Sequence, residues 1–227
     1  MHLAVPKETV PGETRVALIP ESVKKLTGAG FKVSIERGAG ELSHYLDEAY
    51  KQAGAAIVPT AEELIPAADF ILKVRPPTET NSHREVALIK PGAYLLGSLF
   101  PTRNIQTMLR LASGNVTSFS TDTIPRTTRA QAMDTLSSMA SLAGYKGALL
   151  AATELNKCFP MFMTAAGTIQ PARVFVIGAG VAGLQAIATV RRLGANVFAT
   201  DVRPETKDQI QSVGAKYVGI ELAQSAS

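Results

Sequence analysis

The 227-residue sequence contains one cysteine, no tryptophan and only 6% aromatic residues. A single cysteine excludes an internal disulfide framework and is compatible with a reducing compartment. No run of about 18 apolar residues occurs, so no membrane-spanning helix is predicted. The N-terminus MHLAVPKETV also lacks the apolar core of a signal peptide. No HExxH motif and no Cys/His cluster is found, so a metal site is not expected.

The charge has no concentrated region of one sign. The net charge is +4, from 23 Lys and Arg against 19 Asp and Glu. Acidic and basic residues are interleaved, and no stretch reaches five like charges. Nucleic acid is therefore not an expected partner. With 46% hydrophobic residues the composition is that of a globular protein.

Apolar runs of strand length alternate with amphipathic segments through most of the sequence. The predicted strands are Leu3–Val5, Phe31–Ile35, Ala56–Val58, Phe70–Val74, Tyr94–Leu99, Val116–Phe119, Arg173–Ile177 and Asn196–Thr200. The predicted helices of the N-terminal half are Glu21–Ala29, Asp47–Ala53, Ala61–Ala67, His83–Ile89 and Ile105–Ala112. Strands alternating with helices indicate an α/β fold with parallel sheets covered on both faces.

Two domains are predicted, each a doubly wound parallel sheet. The first, residues 1–164, ends in a long helix from Thr127 to about Asn156, followed by a connection over Lys157–Pro171. The second, residues 165–227, is a Rossmann dinucleotide-binding domain. It supplies strand, helix, strand, helix and strand over Arg173–Val218, which is one half of such a fold. We therefore expect the sequence to be a fragment of a longer protein.

A glycine-rich turn opens this second domain. The predicted strand Arg173–Ile177 runs into GAGVAG, which contains Gly178, Gly180 and Gly183 with Val181 and Ala182 between the last two, and then into a predicted helix. In this setting the glycines allow a tight turn, a close approach of the backbone to a pyrophosphate and close packing of helix on strand. The helix N-terminus then faces the phosphates. The alternative is a packing turn that binds nothing.

An acidic residue ends the next predicted strand. Asp201 lies 23 residues after Gly178, close to the roughly 20-residue spacing of the carboxylate that bonds the adenosine ribose. A carboxylate there favours NAD(H), because it repels a 2′-phosphate. Arg203 weakens this preference, since a nearby arginine accommodates NADP(H). Asp201 as a simple cap of a helix or turn is the alternative.

A polar cluster precedes the long helix. Arg126, Arg129, Gln131 and Asp134 lie within nine residues. Asp134 begins a polar stripe with helical spacing that continues through Ser137, Ser138, Ser141 and Tyr145. A structural explanation remains open, because Thr128 and Gln131 have the spacing of a capping box and Asp134 complements the helix dipole.

Three segments resemble the alanine dehydrogenase/transhydrogenase family. They are PKETVPGETRVALIPESVKKL (6–26), PRTTRAQAMDTLSSMASLAGY (125–145) and the region from Met163 to Arg203. The middle segment and the region from Met163 to Arg203 resemble the NAD(H)-binding alpha subunit of proton-translocating NAD(P) transhydrogenases, and the middle segment is the more specific of the two. The resemblance implies direct hydride transfer between NADH and NADP⁺, coupled to proton translocation by partner subunits.

The resemblance also implies roles for the polar cluster. Arg126 and Asp134 would orient the carboxamide and ring of NAD(H), with Ser137 assisting. Gln131 would reach the ribose of the NADP(H) that the partner subunit holds. The implied partners are the membrane and NADP(H)-binding subunits and a second copy in a homodimer. The implied location is the cytoplasmic face of the inner membrane, where the chain is peripheral.

Two alternatives remain at this point. An alanine-dehydrogenase-like enzyme needs a general acid–base, and the resemblance implies a His after the strand at Ala93–Leu99, where this sequence has Leu99 and Phe100. Arg15 and Lys73 correspond to the arginine and lysine that bind the amino acid in that relative. The other alternative is a non-catalytic NAD-binding fragment.

Overall fold

The computed structural model describes residues 1–79 and 84–219. Within them the contacts divide the chain into two compact units, which meet in sequence at Asp134 and Thr135. Each is an α/β unit with a parallel sheet, as predicted. No helix in the described ranges is both long enough and apolar enough to cross a bilayer.

The first unit, Met1–Asp134, contains one six-stranded sheet in which all pairings are parallel. Its strands are β1 (His2–Val5), β2 (Lys32–Glu36), β3 (Ala56–Val58), β4 (Phe70–Leu72), β5 (Tyr94–Gly97) and β6 (Thr117–Ser120). Its helices are α1 (Pro20–Gly28), α2 (Asp47–Gln52), α3 (Ala61–Ala67), α4 (Glu85–Leu88) and α5 (Ile105–Ser113). The strand order is β3-β2-β1-β4-β5-β6, so the winding reverses between β1 and β4.

Both faces of this sheet are buried. Side chains alternate between the two faces of a strand, and in β1 Leu3 and Val5 belong to one apolar cluster while Ala4 belongs to another. In β4 the same division separates Ile71 from Leu72. Cover on both faces explains why these strands are short continuous apolar runs, and it confirms the doubly wound class.

The second unit, which begins at Thr135, contains a three-stranded parallel sheet and a small hairpin among its described residues. Its elements are α6 (Thr135–Glu154), β7 (Phe162–Thr164), β8 (Gly167–Ile169), β9 (Arg173–Ile177), α7 (Val181–Arg192), β10 (Asn196–Thr200), α8 (Thr206–Ser212) and β11 (Lys216–Tyr217). The sheet order β11-β10-β9 is that of the first half of a Rossmann sheet. The predicted strand and helix succession over Arg173–Val218 is therefore confirmed.

The long helix differs from its prediction in two ways. It begins at Thr135 rather than Thr127, because Thr128–Met133 forms a 3-10 helix that ends at Asp134. It also packs in the second unit, since Ala148 shares one apolar cluster with Ile187 and Ala199. The contacts thus divide the chain before this helix, whereas the predicted boundary is at residue 164.

Smaller differences are confined to the ends of elements and to one connection. The predicted strands differ from the observed ones by at most two residues at either end. The predicted helix His83–Ile89 is Glu85–Leu88 in the structure, and His83 lies outside the described residues. The segment Lys157–Pro171 is predicted to be a connection, but it contains the antiparallel hairpin β7–β8.

Candidate functional site

The glycine-rich turn joins β9 to α7 through only three residues. Gly178 has a φ of +94°, a conformation that side chains disfavour. A Cβ atom on Gly183 would overlap the carbonyl of Gly178, so this glycine lets the helix begin directly against the turn. The turn is also tied to the neighbouring strand, because the Gly178 amide donates to the Thr200 carbonyl at 2.8 Å.

The space in front of this turn is open. Gly180 is the N-cap of α7, and a Cβ placed on it would meet no atom within 4 Å. Val181 and Ala182 form the first turn of the helix, whose leading N–H groups point along its axis into this space. Arg191 and Arg192 in the last turn complement the opposite end of the helix dipole. An open backbone beside a positive helix end is an arrangement suited to an anion such as a pyrophosphate.

Asp201 lies beside the turn at the end of β10. Its Oδ2 accepts a hydrogen bond from the Ala179 amide at 2.6 Å, which links the strand end to the middle of the glycine turn. The carboxylate is 7% exposed. The Arg203 guanidinium, together with the Ala179 and Arg203 amides, holds the pKa of Asp201 far below its ordinary value. Asp201 is therefore an ionised acceptor next to the open space.

Arg203 contacts the same carboxylate three times. Its amide and its Nε donate to Oδ1 of Asp201 at 2.9 and 3.0 Å, and its Nη2 donates to Oδ2 at 3.2 Å. The carboxylate raises the pKa of Arg203, mainly through the hydrogen bonds between the two side chains. The guanidinium itself is half-exposed. The structure thus brings together Asp201, Arg203 and the glycine turn, as the spacing predicts.

A fourth glycine, to which the sequence assigned no role, lies against the turn. A Cβ on Gly144 of α6 would overlap the carbonyl of Ala182. The long helix therefore supports the first turn of α7 by a contact of backbone on backbone. In the sequence, Gly144 is a small residue in a helix that has apolar residues on several sides. That pattern does not identify the residue that it contacts.

The predicted polar cluster lies in the segment that precedes α6. Arg126 and Gln131 are exposed in the first unit, while Asp134 is half-buried and lies immediately before α6. Ser137 lies in the first turn of α6, and its carbonyl accepts from the Ser141 hydroxyl. Thr128, which the capping-box alternative takes as the N-cap, lies inside the 3-10 helix, and the observed N-cap Thr127 makes no side-chain cap hydrogen bond.

The first unit has a different arrangement at the reversal point between β1 and β4. Lys73, directly after β4, is 1% exposed, and its Nζ lies 2.8 Å from Glu85 and 3.6 Å from Glu8. Glu8 also accepts from the Val74 amide at 2.5 Å, and Glu85 accepts from the Thr78 amide at 2.6 Å. Burial raises the pKa of Glu8, against the lowering effect of Lys73. We call Glu8, Lys73 and Glu85 the buried triad.

Arg15 also has acidic neighbours. Glu13 accepts from Nε and Nη2 of Arg15 at 2.7 and 2.6 Å, and from Nε of Arg75 at 2.9 Å. These contacts, led by the hydrogen bond from Arg15, lower the pKa of Glu13 from 4.5 to about 2. The two residues that the resemblance connects with an amino-acid substrate, Arg15 and Lys73, therefore both have acidic partners within the chain.

No histidine follows β5 at the position where the resemblance to alanine dehydrogenase implies one. Ser98 and Leu99 follow this strand, and Leu99 is 1% exposed and belongs to the core. Phe100 follows with a φ of +46°, and its amide donates to Asp122 at 3.2 Å. The His2 ring lies elsewhere, within hydrogen-bond distance of Ser34 and the Ala67 carbonyl. This strand end therefore contains no acid–base residue of that type.

The fold and the turn define a doubly wound α/β protein whose second unit has the features of a dinucleotide-binding domain. Comparison with known families identifies it further. The N-terminal domain of the alanine dehydrogenase/PNT family matches residues 4–143, and the C-terminal domain matches residues 147–227. The chain belongs to the alanine dehydrogenase/PNT family.

Relatives in this family differ in their distance from the chain. It is 50% identical over 222 residues to an NAD(P) transhydrogenase alpha subunit protein of Rhodospirillum rubrum, covering 97% of this chain and 58% of that protein. The crystal structure of transhydrogenase from Sinorhizobium meliloti matches with a TM-score of 0.92 at 48% identity, covering 97% of this chain and 62% of that chain. The alanine dehydrogenase of Mycobacterium tuberculosis is 32% identical, covering 96% of this chain and 57% of that protein. The chain thus spans less than two thirds of the length of each of these relatives.

Proposed function

We propose that this chain is the NAD(H)-binding component of a proton-translocating NAD(P) transhydrogenase. The observation that carries the proposal is the hydrogen bond between Asp201 and the Ala179 amide, which brings the acidic strand end to the open glycine turn. The similarity to transhydrogenase alpha subunits supports the reaction, because the alanine dehydrogenases are more distant.

In this proposal the second unit holds the adenosine and pyrophosphate moieties of the dinucleotide. Gly178, Gly180 and Gly183 keep the turn tight and open, and the first turn of α7, with Val181 and Ala182, faces the phosphates with its N–H groups. Asp201 accepts from the ribose hydroxyls. The geometry fits this group, because among the described residues a Cβ atom on Gly180 would meet no atom within 4 Å and the nearby carboxylate is ionised.

We assign the nicotinamide end to the polar segment before α6. Arg126 and Asp134 orient the carboxamide and ring, and Ser137 assists. Gln131 bonds the NADP(H) ribose held by the partner subunit. The dinucleotides supply the chemistry, a hydride that leaves C4 of NADH for C4 of NADP⁺ and forms NAD⁺ and NADPH. Such a transfer needs alignment and exclusion of water rather than a protein acid or base.

The partners in this proposal are the membrane subunit, the NADP(H)-binding subunit and a second copy of the chain. The chain itself is then peripheral on the cytoplasmic face of the inner membrane. Within the described residues no group of three or more His, Cys, Asp and Glu side chains is arranged to hold a metal ion.

The test mixes the 227-residue chain with an NADP(H)-binding subunit and measures NADH-dependent reduction of an NADP analogue. We expect activity that falls roughly tenfold to a hundredfold in Arg126→Ala, because misplaced nicotinamides react slowly. The matched control is Arg129→Ala, an exposed arginine in the same segment that should leave the rate unchanged. Full activity in Gln131→Ala would remove the role assigned to Gln131.

Two further measurements separate the alternatives. An alanine-dehydrogenase-like enzyme would oxidise NADH in the presence of pyruvate and ammonia, whereas the absence of a His after β5 predicts no such turnover. A non-catalytic NAD-binding fragment would bind NADH in a fluorescence titration and give no hydride transfer with the partner subunit. No NADH binding at all would contradict the proposal and this alternative together.

A further inference from the structure

The guanidinium of Arg203 adds a second charged group beside the carboxylate of Asp201. Three donors of Arg203 converge on the two oxygens of Asp201 within 3.2 Å. The aspartate is almost buried, whereas the arginine side chain is 52% exposed. The guanidinium is thus anchored on one side by the carboxylate and remains open to solvent on the other.

Two carboxylates offset the positive charge of this arginine. Asp201 provides the closest negative charge, and Glu205 adds a weaker attraction to the same guanidinium. An arginine has a planar fork of donors that suits phosphate as well as carboxylate. While Asp201 is ionised, a phosphate that approached Arg203 would have to compete with that carboxylate and would also be repelled by it.

We propose that Arg203 is a specificity-determining residue, a latent phosphate-binding arginine that Asp201 keeps neutralised. The ionised pair accepts a ribose 2′-hydroxyl, because Asp201 is an acceptor for that hydroxyl. It rejects a ribose 2′-phosphate, because the guanidinium of Arg203 is already paired with Asp201. This inference rests on the proposed function, since it requires that the glycine turn bind a pyridine dinucleotide.

The contact with Ala179 gives Asp201 a second effect on selectivity. Its Oδ2 accepts the hydrogen bond of the Ala179 amide in the glycine turn, so this donor is not available to a ligand. Removing the carboxylate therefore releases two groups at once, the amide of the turn and the guanidinium of Arg203. Both are donors that a phosphate can use. The selectivity of the site is predicted to reverse with this single change.

The experiment measures binding of 5′-AMP and 2′,5′-ADP to the 227-residue chain by calorimetry, with NADH and NADPH titrated by fluorescence. Wild-type protein should bind the ligands that lack a 2′-phosphate. In Asp201→Ala the affinity for 2′,5′-ADP should rise by about tenfold or more, and that for 5′-AMP should fall by about tenfold, in line with charge-assisted hydrogen bonds. Asp201→Asn, which keeps the shape of the side chain, should move both affinities in the same directions.

A double variant isolates the arginine. In Asp201→Ala/Arg203→Ala the gain for 2′,5′-ADP should disappear. The matched control adds Arg192→Ala, an exposed arginine of the same unit, to Asp201→Ala and should keep the gain. Circular dichroism of each variant verifies folding.

The outcomes separate the two proposals. If wild-type protein binds NADH but Asp201→Ala and Asp201→Asn gain nothing for 2′,5′-ADP, Arg203 is not a latent phosphate site and only this inference is overturned. A gain that survives removal of Arg203 overturns it as well. If wild-type protein binds neither NADH nor 5′-AMP, the proposed function itself is overturned.

Discussion

The two units place charged residues at the carboxyl ends of parallel strands in opposite ways. In the first unit the connection from β1 to α1 is long, and Lys73 is enclosed by Glu8 and Glu85. In the second unit the connection from β9 to α7 is three residues long, and a Cβ atom on Gly180 would meet no atom of the described residues beyond its chain neighbours within 4 Å. Buried charged side chains thus occupy the carboxyl edge of the sheet in the first unit. In the second unit the corresponding edge borders the open space at Gly180.

The comparison shows that a doubly wound sheet does not by itself specify a binding site. Ligands bind at the strand ends only where side chains leave space and available hydrogen-bonding groups. The buried triad satisfies its own charges, whereas Asp201 and the first turn of α7 face an open volume. We infer that the first edge has a structural role and the second a binding role.

The largest expected effect comes from breaking the buried triad. Lys73→Met keeps most of the side-chain volume but leaves Glu8 and Glu85 buried without their cation, which should cost about 3–5 kcal/mol of unfolding free energy. Urea denaturation measures this loss. The matched control is Lys90→Met, which removes an ion pair with Asp69 of the same 2.8 Å length at the surface and should cost at most about 1 kcal/mol.

The same variant also tests the division of roles. Adding Glu8→Gln and Glu85→Gln to Lys73→Met should recover much of the stability, because no uncompensated charge then remains. NADH affinity of the folded protein should stay at its wild-type value. Weaker NADH binding at unchanged stability would show that the edge of the first unit is a ligand site and that the comparison is wrong.

An intermediate effect is expected at the contact between the long helix and the glycine turn. Gly144→Ala should cost about 1–3 kcal/mol through overpacking and should also weaken NADH binding, because the new methyl group displaces the carbonyl of Ala182. Gly147→Ala lies three residues away in α6 with no atom within 4 Å of its Cβ. That control should stabilise the helix by up to about 1 kcal/mol. Equal behaviour of the two variants would remove the support that α6 is inferred to give the turn.

The smallest effect is an acid-sensitive contribution from Glu13. Its pKa is about 2 in the folded chain against an ordinary 4.5, so its ionised form stabilises the fold above pH 4.5. That contribution is lost as the pH falls toward about 2. The stability difference between wild-type protein and Glu13→Gln should therefore be constant above pH 4.5 and shrink below it. Glu21→Gln, on an exposed pair, should change the profile far less.

A difference that grew as the pH fell would contradict the ion pairs assigned to Glu13. Unfolding by urea at a series of pH values is the measurement.

Much of the fold was predictable because its signals are local. Strand-length apolar runs and the turn at Gly178 depend on neighbouring residues, and both agree with the structure. The spacing from Gly178 to Asp201 likewise predicted their proximity, because parallel strands end at the same edge of a sheet.

Features that depend on distant contacts were not predictable. The start of α6 was placed too early, because the 3-10 segment Thr128–Met133 has residues that also suit an α-helix. The unit to which α6 belongs was not predicted, since apolar residues lie on several sides of this helix and do not indicate which side packs. Glu8, Lys73 and Glu85 are far apart in the sequence, and nothing local marks them as one cluster.

Hydrogen–deuterium exchange of the 227-residue chain with and without saturating NADH compares the two edges directly. Our account predicts slower exchange in the glycine turn and around Asp201, over residues 178–184 and 199–203. It predicts no change around the buried triad, over residues 6–15 and 73–75. Protection of the segments of the first unit without protection of the glycine turn would contradict the account.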